Sequence, residues 1–294
     1  ATKTIFIGEG VIQPLTLTIQ GEAFTNPLGM KFVPVPGTQI LMCIHETRNR
    51  DYAAYAAENS GVDMEWQHPV FKWELSEAKK AIKDVTLRRS FDVSWDDRDG
   101  LSVAFKELPK DNPVLCVSWN EANAFCSWLG TRDGKVYRLP TDHEWSCAVG
   151  IGHRENSKET PAEKHGKLGG VFPWGAGFPP SKHNVGNYRD SLSYGRIWLK
   201  TDFVGYDDGY PITAPVMSYS ANQFGVFDLG GNVDEWCDDK WDSTSDGRVH
   251  RGGNWGSSTG SETVSSSSRS GHTPDYRMDT VGFRCVVVVG SSSP

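Results

Sequence analysis

The sequence predicts a mixed α+β fold of short strands, few helices and little regular secondary structure. Three observations carry this. The 294 residues include 31 Gly and 16 Pro, which favour turns and irregular loops. Helical patterning is confined to short stretches bounded by capping residues. The hydrophobic content of 37%, with 11 Trp, still supplies enough apolar surface for a packed interior.

From the N-terminus, Ile5, Ile7, Val11, Leu15, Leu17 and Ile19 alternate weakly. Residues 1–28 therefore read as a strand extension, with a hairpin around Gly8-Glu-Gly10. Met30–Val35 and Thr38–Met42 form the next strand pair, broken at Pro36-Gly37. Pro34 and Pro36 place the first of them at a sheet edge, because proline cannot donate to a ladder. Asp51–Glu58 reads as a helix with Tyr52, Tyr55 and Ala56 on one face and Thr47 as N-cap. Residues 61–111 mix Trp66, Trp73, Phe91, Trp95 and Phe105 with many charges. They read as an irregular insertion anchored by its aromatics, with one short helix over Leu75–Val85.

Pro113–Val117 is an apolar run followed by Ser118-Trp-Asn-Glu121. That spacing lets a hydroxyl accept from the third N–H while the carboxylate reaches back to the cap. The helix it opens carries Ala122, Phe125, Cys126 and Leu129 on one face and is expected to stop at Gly130. Lys135–Leu139 is a strand, and Thr141 with Glu144 caps a helix that ends before Gly150. Residues 152–170 form a charged loop. Beyond Phe172 the chain is turns and aromatics. Without a repeat or linker, residues 1–294 are expected to form a single domain.

A net charge of −7 without a basic tail argues against nucleic acid as a partner. No apolar run approaches the roughly 18–20 residues that span a bilayer. Cys43, Cys116, Cys126, Cys147, Cys237 and Cys285 are scattered, with no C-x-x-C pair, which argues against zinc. Small buried thiols are expected, with one or two disulfides left open. His45-Glu46 and His143-Glu144 lack the second histidine of a metalloprotease helix, and no G-x-S-x-G or phosphate-binding loop is present. Trp119, Trp128, Trp145, Trp174 and Trp236 are expected in the core, and Asp238, Asp239, Asp242 and Asp246 in a solvated acidic turn.

The C-terminal stretch Arg248–Val289 is unlike the rest. Strand-like ends at Arg248–Trp255 and Gly282–Val289 enclose small polar residues with little periodicity. The enclosed span is long for a plain loop. It reads as a folded display surface framed by two strands. Arg248, Arg251, Arg269, Arg277 and Arg284 are expected to orient its loops by bidentate contacts.

Several motifs together carry a family resemblance. They are Pro113-Val-Leu-Cys-Val-Ser-Trp-Asn-Glu121, Tyr137-Arg-Leu-Pro-Thr-Asp-His-Glu-Trp145, Phe172-Pro-Trp-Gly175, Phe224–Trp236, Arg251-Gly-Gly253 and Gly282-Phe-Arg284. In this order, over residues 29–289, the chain resembles the formylglycine-generating enzyme (sulfatase-modifying factor) family. The resemblance implies an irregular α+β fold of C-type-lectin-like type. Active members hold two Cys after Arg-Gly-Gly, and the matching positions here are Ser257 and Glu262. Neither side chain can bind Cu(I) or form a redox-active sulfur species. The family's iron-dependent branch relies on His ligands from an extra helical domain, and no such cluster occurs here.

Non-enzymatic proteins of this fold serve as variable proteins of diversity-generating retroelements, in which such a C-terminal segment is rewritten at template adenines. This chain resembles them between Arg251-Gly-Gly-Asn-Trp255 and Gly282-Phe-Arg284. The resemblance implies contact with a protein or cell-surface ligand through His250, Asn254, Gly256, Ser257, Gly271, His272, Tyr276, Met278, Asp279 and Thr280, with Trp255 and Tyr276 as part of the ligand floor. No catalytic residue is expected. The alternative is a divergent thiol-oxidising or other modifying enzyme, and a third option is an accessory structural domain. A monomer is expected, displayed outside the bacterial cell, with any lipid anchor on a segment beyond this chain. The resemblance also implies calcium, which takes about six to eight oxygens. Its two loop groups would be Asn184, Val185, Asp208 and Tyr210, and Asp228, Gly231, Val233 and Glu235.

Overall fold

The protein is described by a computed structural model covering residues 2–5, 15–18, 21–73, 91–96, 100–177, 185–189, 206–257 and 262–292. Strands β1 (Thr2–Ile5) and β2 (Leu15–Thr18) pair antiparallel as the weak alternation predicts. Their connecting turn lies outside the described residues. Next come β3 (Phe24–Thr25), β4 (Lys31–Pro34) and β5 (Ile40–Cys43), antiparallel neighbours in that order. So β4 is not the edge strand its prolines predict. The edge is β3, which faces only Lys31 and Phe32 and leaves Pro34 beyond its reach, where no ladder donor is required.

Helix α1 (Asn49–Glu58) buries Tyr52 and Tyr55. Its N-cap is Arg48 rather than Thr47. The Arg48 N–H and Nε both donate to Asp51 Oδ2, at 3.1 and 2.8 Å. Thr47 instead joins strands: its N–H donates to the Phe283 carbonyl and its own carbonyl accepts from Val114.

The insertion is more regular than its composition predicts. β6 (Val70–Trp73), β7 (Phe91–Asp96) and β8 (Gly100–Phe105) form an antiparallel sheet with β8 in the middle. Phe71, Phe91 and Val103 are buried against Leu115, Ile212, Val233 and Trp255. The sheet therefore packs beneath the C-terminal segment. The helix expected over Leu75–Val85 lies outside the described residues.

Helix α2 (Trp119–Asp133) opens on the expected box: Glu121 N donates to Ser118 Oγ and Ser118 N to Glu121 Oε2. It does not stop at Gly130. It runs on to a left-handed cap at Gly134, φ +70°. Gly130 serves a different need, since a Cβ there would meet the Lys135 carbonyl at 2.8 Å. That close approach admits β9 (Lys135–Arg138). α3 (Asp142–Val149) is capped by Thr141 and ends at Gly150. The charged loop after it contains a short helix, α4 (Pro161–Lys164). β10 (Val171–Phe172) and β11 (Gly175–Ala176) pair, and the next strand among the described residues is β12 (Asp234–Lys240).

β13 (Arg248–Arg251), β14 (Ser270–His272) and β15 (Val281–Gly282) join β12 in the order β14-β13-β12-β15. β16 (Val286–Ser292) inserts between β5 and β9, completing the sheet β3-β4-β5-β16-β9. Asp238 and Asp239 thus belong to β12 and not to an acidic turn, and Asp239 accepts from the Asp142 N–H at 2.6 Å. Asp242 does cap a turn, through Thr244 and Ser245.

Phe32, Tyr52, Phe125, Leu129, Trp236 and Phe283 share the largest core cluster, between the five-stranded sheet, α1 and α2. Trp145, Val249 and Val286 anchor another. Full burial contributes about 1.5–3 kcal/mol for each Leu- or Phe-sized side chain. Trp145 and Trp236 are fully buried, whereas Trp119, Trp128 and Trp174 are half-buried. All six cysteines are free, though Cys126 and Cys285 Sγ lie 3.4 Å apart. No helix among the described residues is long and apolar enough to cross a membrane.

Candidate ligand-binding site

The foundation of the C-terminal segment is a buried carboxylate. Asp142 sits in the first turn of α3 and is 1% exposed. Arg251, ending β13, donates to Asp142 Oδ1 at 2.5 Å. Arg269, just before β14, reaches Oδ1 through Nε at 2.8 Å and Oδ2 through Nη2 at 3.2 Å. Lys164 pairs with Oδ2. Burial alone would raise the Asp142 pKa, but the charges of Arg251 and Arg269 outweigh it and hold the carboxyl well below its usual range.

The two guanidiniums also collect loop carbonyls. Arg251 donates to Ser266 and Ser268 O, and Arg269 to Ser267 O and to both oxygens of Glu155. The serine run at 265–268 is therefore a buried ledge, with Ser265, Ser266 and Ser267 all inside.

Above this ledge opens a polar cavity of about 260 Å³. Its walls include Asp234, His250, Asn254, Ser257, Glu262, Thr263, Ser268, Ser270 and His165. Asp234 organises one side. Its Oδ1 accepts from Gly253 N and its Oδ2 from Asn254 Nδ2, at 2.9 and 2.6 Å. The Asn254 N–H donates to Ser257 Oγ at 2.9 Å, closing a tight turn. On the other side His250 Nε2 and His272 Nδ1 lie 2.9 Å apart, and the His272 ring stacks on Tyr276 with centroids 4.1 Å apart. Burial, then the neighbouring His250, pushes the His272 pKa down.

Ser257 and Glu262 thus share one cavity with His250 and Asn254, while His272 and Tyr276 form its stacked flank. Others of the expected contact positions are buried or half-buried. Thr280 is 1% exposed, and its carbonyl accepts from Asp234 N. Met278 packs against the main core and Gly256 is buried. Asp279 is half-buried and lends its carbonyl to Trp255 Nε1 at 3.0 Å. Trp255 is 2% exposed and meets Phe71 edge-on, so it is a pillar and not a ligand floor. Gly271 is half-buried but sterically locked, because a Cβ there would lie 2.6 Å from the Trp241 ring.

Sequence reasoning missed Asp142 and Asp234. Each is embedded in a motif whose other residues explained it, Asp142 inside a capping box and Asp234 beside Trp236. The scaffold role expected of the arginines holds for Arg251, Arg269, Arg277 and Arg284, whereas Arg248 donates through Nη1 alone to the Asp238 carbonyl and its Nε is buried without a partner. Arg277 grips Glu121 through two nitrogens, and Arg248 lies over the Trp119 ring at 3.9 Å.

The two expected calcium groups differ. In the first, Asn184 lies outside the described residues, Val185 is half-buried, and Asp208 accepts from the Tyr188 and Tyr210 N–H groups. That arrangement caps a loop. In the second, Glu235 is paired with Arg284 at 2.6 Å and also accepts from Trp145 Nε1. Beside this pair, Asp228 Oδ1 and Glu46 Oε1 are buried with no hydrogen-bond partner. Burial pushes Asp228 up to about 6 and Glu46 well above the usual range. Three buried carboxylates thus face one guanidinium. With the Gly231 and Val233 carbonyls nearby in sequence, the orphaned Asp228 oxygen is the feature that fits a cation. No cluster of three or more His, Cys, Asp or Glu that could hold a metal occurs among the described residues, so such a site would depend on those carbonyls.

The sulfatase-modifying factor enzyme 1-like domain matches residues 25–289. The inactive C-alpha-formylglycine-generating enzyme 2 of Bos taurus is 32% identical over 183 residues, 60% of this chain and 51% of that protein. The formylglycine-generating enzyme of Streptomyces coelicolor is 32% identical over 193 residues, 60% of this chain and 52% of its own length. The chain therefore spans about half the length of these curated relatives. Among solved structures, PvdO from Pseudomonas aeruginosa shares the fold, with a TM-score of 0.54 at 19% identity over 98% of this chain and 92% of that one. Treponema denticola variable protein 1 aligns with a TM-score of 0.47 at 16% identity, covering 98% of this chain and 99% of that one.

Proposed function

This chain belongs to the sulfatase-modifying factor enzyme 1-like family and has its C-type-lectin-like fold, and within that family we propose that it binds a ligand without catalysing. The observation that carries the proposal is the composition of the cavity. The two positions matched to the family's cysteines, Ser257 and Glu262, both line it, and none of its lining residues is a cysteine. A hydroxyl and a carboxylate offer no sulfur to Cu(I) and no redox-active thiol.

The ligand face is the outer part of the segment: Asn254, Ser257, Glu262, Thr263, Ser270, His272 and Tyr276. The division of burial supports rewriting of this face by a retroelement. Arg251, Trp255, Arg269 and Phe283 are at most 2% exposed, while Glu262, Thr263 and Ser270 are exposed between them. Replacements at such exposed positions leave the scaffold contacts intact. The partner is a protein or cell-surface ligand, met by a monomer displayed outside the bacterial cell. Calcium, if bound, is held by Asp228, the Gly231 and Val233 carbonyls and Glu235, and would neutralise the surplus carboxylate charge there.

Two measurements test this. Incubated with copper and a Cys-containing sulfatase peptide, the protein should leave the thiol unmodified, and robust turnover would overturn the reading. In the source genome, a near-copy of the codons for residues 248–284, differing mainly at adenines and near a reverse transcriptase, is expected. Its absence from a complete genome would remove the diversification.

A further inference from the structure

The cavity above the serine ledge holds negative charge that no lysine or arginine around it balances. Asp234 and Glu262 both line it, and the lining includes a single Lys or Arg, Arg269. That side chain is committed elsewhere: it is fully buried and reaches Asp142 and Glu155. Glu262 stands exposed at the rim. Asp234 accepts from two neutral groups, the Gly253 N–H and the Asn254 amide. Among the described residues, the one basic nitrogen within salt-bridge reach of it is His250 Nδ1, which at 3.7 Å lies beyond hydrogen-bond length.

His250 supplies a second, independent observation. It is 4% exposed, lines the cavity, and its Nδ1 is buried with no hydrogen-bond partner. Buried orphans of this kind are rare, because an unmet polar atom costs about 1–3 kcal/mol. Its neighbours fix where this one points. Nε2 is taken up by His272 Nδ1 at 2.9 Å, and Nδ1 faces the Asp234 carboxylate. In the tautomer that donates Nε2–H to His272, Nδ1 presents a lone pair. A lone pair and a carboxylate oxygen then stand 3.7 Å apart, less than two hydrogen-bond lengths, so one donor nitrogen reaches both.

We propose that this cavity receives a primary ammonium group of a protein partner. The inference rests on the ligand-binding reading above and names the chemistry of its ligand. The three ammonium N–H groups meet Asp234, Glu262 and His250 Nδ1, and the group brings the missing positive charge. A quaternary ammonium fits less well, because it donates no hydrogen bond and is held by aromatic faces. No Trp, Tyr or Phe lines this cavity. Its volume of about 260 Å³ is below the roughly 300–1,000 Å³ of small-molecule sites. It suits one side chain or a chain terminus, with the rest of the partner lying on the face outside.

The test is an NMR titration of the full chain at constant ionic strength. It follows the Gly253 amide and the Asn254 side-chain amide, the two groups that donate to Asp234. The probes are N-acetyl-lysine methylamide, standing for a lysine side chain, and alaninamide, standing for a free N-terminus. At least one should saturate these signals with a Kd of about 1–10 mM, and the tighter of the two identifies the source. The lysine probe acetylated at Nε, without the charge, or trimethylated there, without the donors, should bind about tenfold more weakly. Glu262→Lys, at an exposed position, should weaken binding about fivefold or more with the melting temperature unchanged. Asp234→Asn should abolish binding, and if it does not fold, Glu262→Lys decides alone. No saturation by about 50 mM, equal binding of the acetylated or trimethylated probe, or full binding by a folded Glu262→Lys protein would each overturn the proposal. Failure here with the sulfatase peptide left unmodified removes the ammonium and keeps the non-catalytic reading, whereas turnover of that peptide removes the reading itself.

Discussion

Gly271 and Trp241 are locked together: a Cβ built on Gly271 would stand 2.6 Å from Trp241 Cγ. β14 is paired with β13 at this residue, Val249 opposite Gly271, so the strand cannot retreat without losing register. Gly271→Ala should therefore destabilise the protein by about 1–3 kcal/mol through overpacking. Trp241→Ala should recover part of that loss in the double variant, a coupling that urea unfolding of all four proteins would measure. If residue 271 tolerates Ala or Ser at no cost, the steric assignment fails. If the segment is diversified as proposed, this position should stay Gly while Glu262 and Thr263 change.

Asp142→Asn should be among the most damaging single substitutions. It removes the carboxylate shared by Arg251, Arg269 and Lys164, leaving the buried Arg251 and Lys164 without a carboxylate and Arg269 with Glu155 alone. Breaking a buried pair in this way costs about 3–5 kcal/mol. The pH dependence follows from the depressed Asp142 pKa. Its stabilisation is fully present above the unfolded value of about 3.9 and is lost as pH falls toward the lower folded value. Thermal melts between about pH 7 and pH 3 should show this acid limb in the parent and a flatter one in Asp142→Asn. Identical slopes would mean that Asp142 is not the controlling group.

Local chemistry made much of this fold legible. The Ser118–Glu121 and Thr141–Glu144 boxes both form, because capping needs only residues three apart. What failed depended on distant chain. Gly130 resembles a helix stop until the Lys135 carbonyl is seen against it, and the Pro34 edge depends on a two-residue strand that covers half of β4. The insertion sheet was hidden for another reason: the alternation in Phe91–Asp96 and Gly100–Phe105 was present but diluted by neighbouring charge. At the candidate site, the positions of Ser257 and Glu262 were readable by counting from Arg251. The burial of Thr280 and Trp255 was not, since it is imposed by β12 and by Phe71 across the insertion.

Asp228 offers a stability test with the opposite sign. Its pKa is raised to about 6, chiefly by burial. The folded state therefore favours the protonated acid. That contribution is fully present below the unfolded value of about 3.9 and is lost as pH rises through the folded value near 6. Asp228→Asn keeps an oxygen and removes the charge. In chelator at neutral pH it should stabilise the protein, by on the order of 2 kcal/mol. With calcium bound at this group the order should reverse, because the cation favours the carboxylate. Melting curves of both proteins in chelator and in calcium would check this, and unchanged melting of the parent on adding calcium would remove the ion from this group.

The His250–His272 pair should make the proposed ligand face sensitive to acid. Their Nε2 and Nδ1 atoms, 2.9 Å apart, can share a hydrogen bond only while at least one ring supplies a lone pair. Burial, followed by repulsion from His250, lowers the His272 pKa below its ordinary 6.5. The contribution of neutral His272 is thus fully present above pH 6.5 and is lost as pH falls through its lower folded value. Protonation of His272 makes its Nδ1 a donor only, so the contact then depends on the His250 lone pair, and the stacked Tyr276 ring senses the new charge. Proton NMR should record one His ring titrating below 6.5 together with a shift of the Tyr276 ring signals. In His272→Gln, the Tyr276 signals should no longer follow pH over that range. If they still do, another group drives the change and the pair is not a pH-sensitive part of the face.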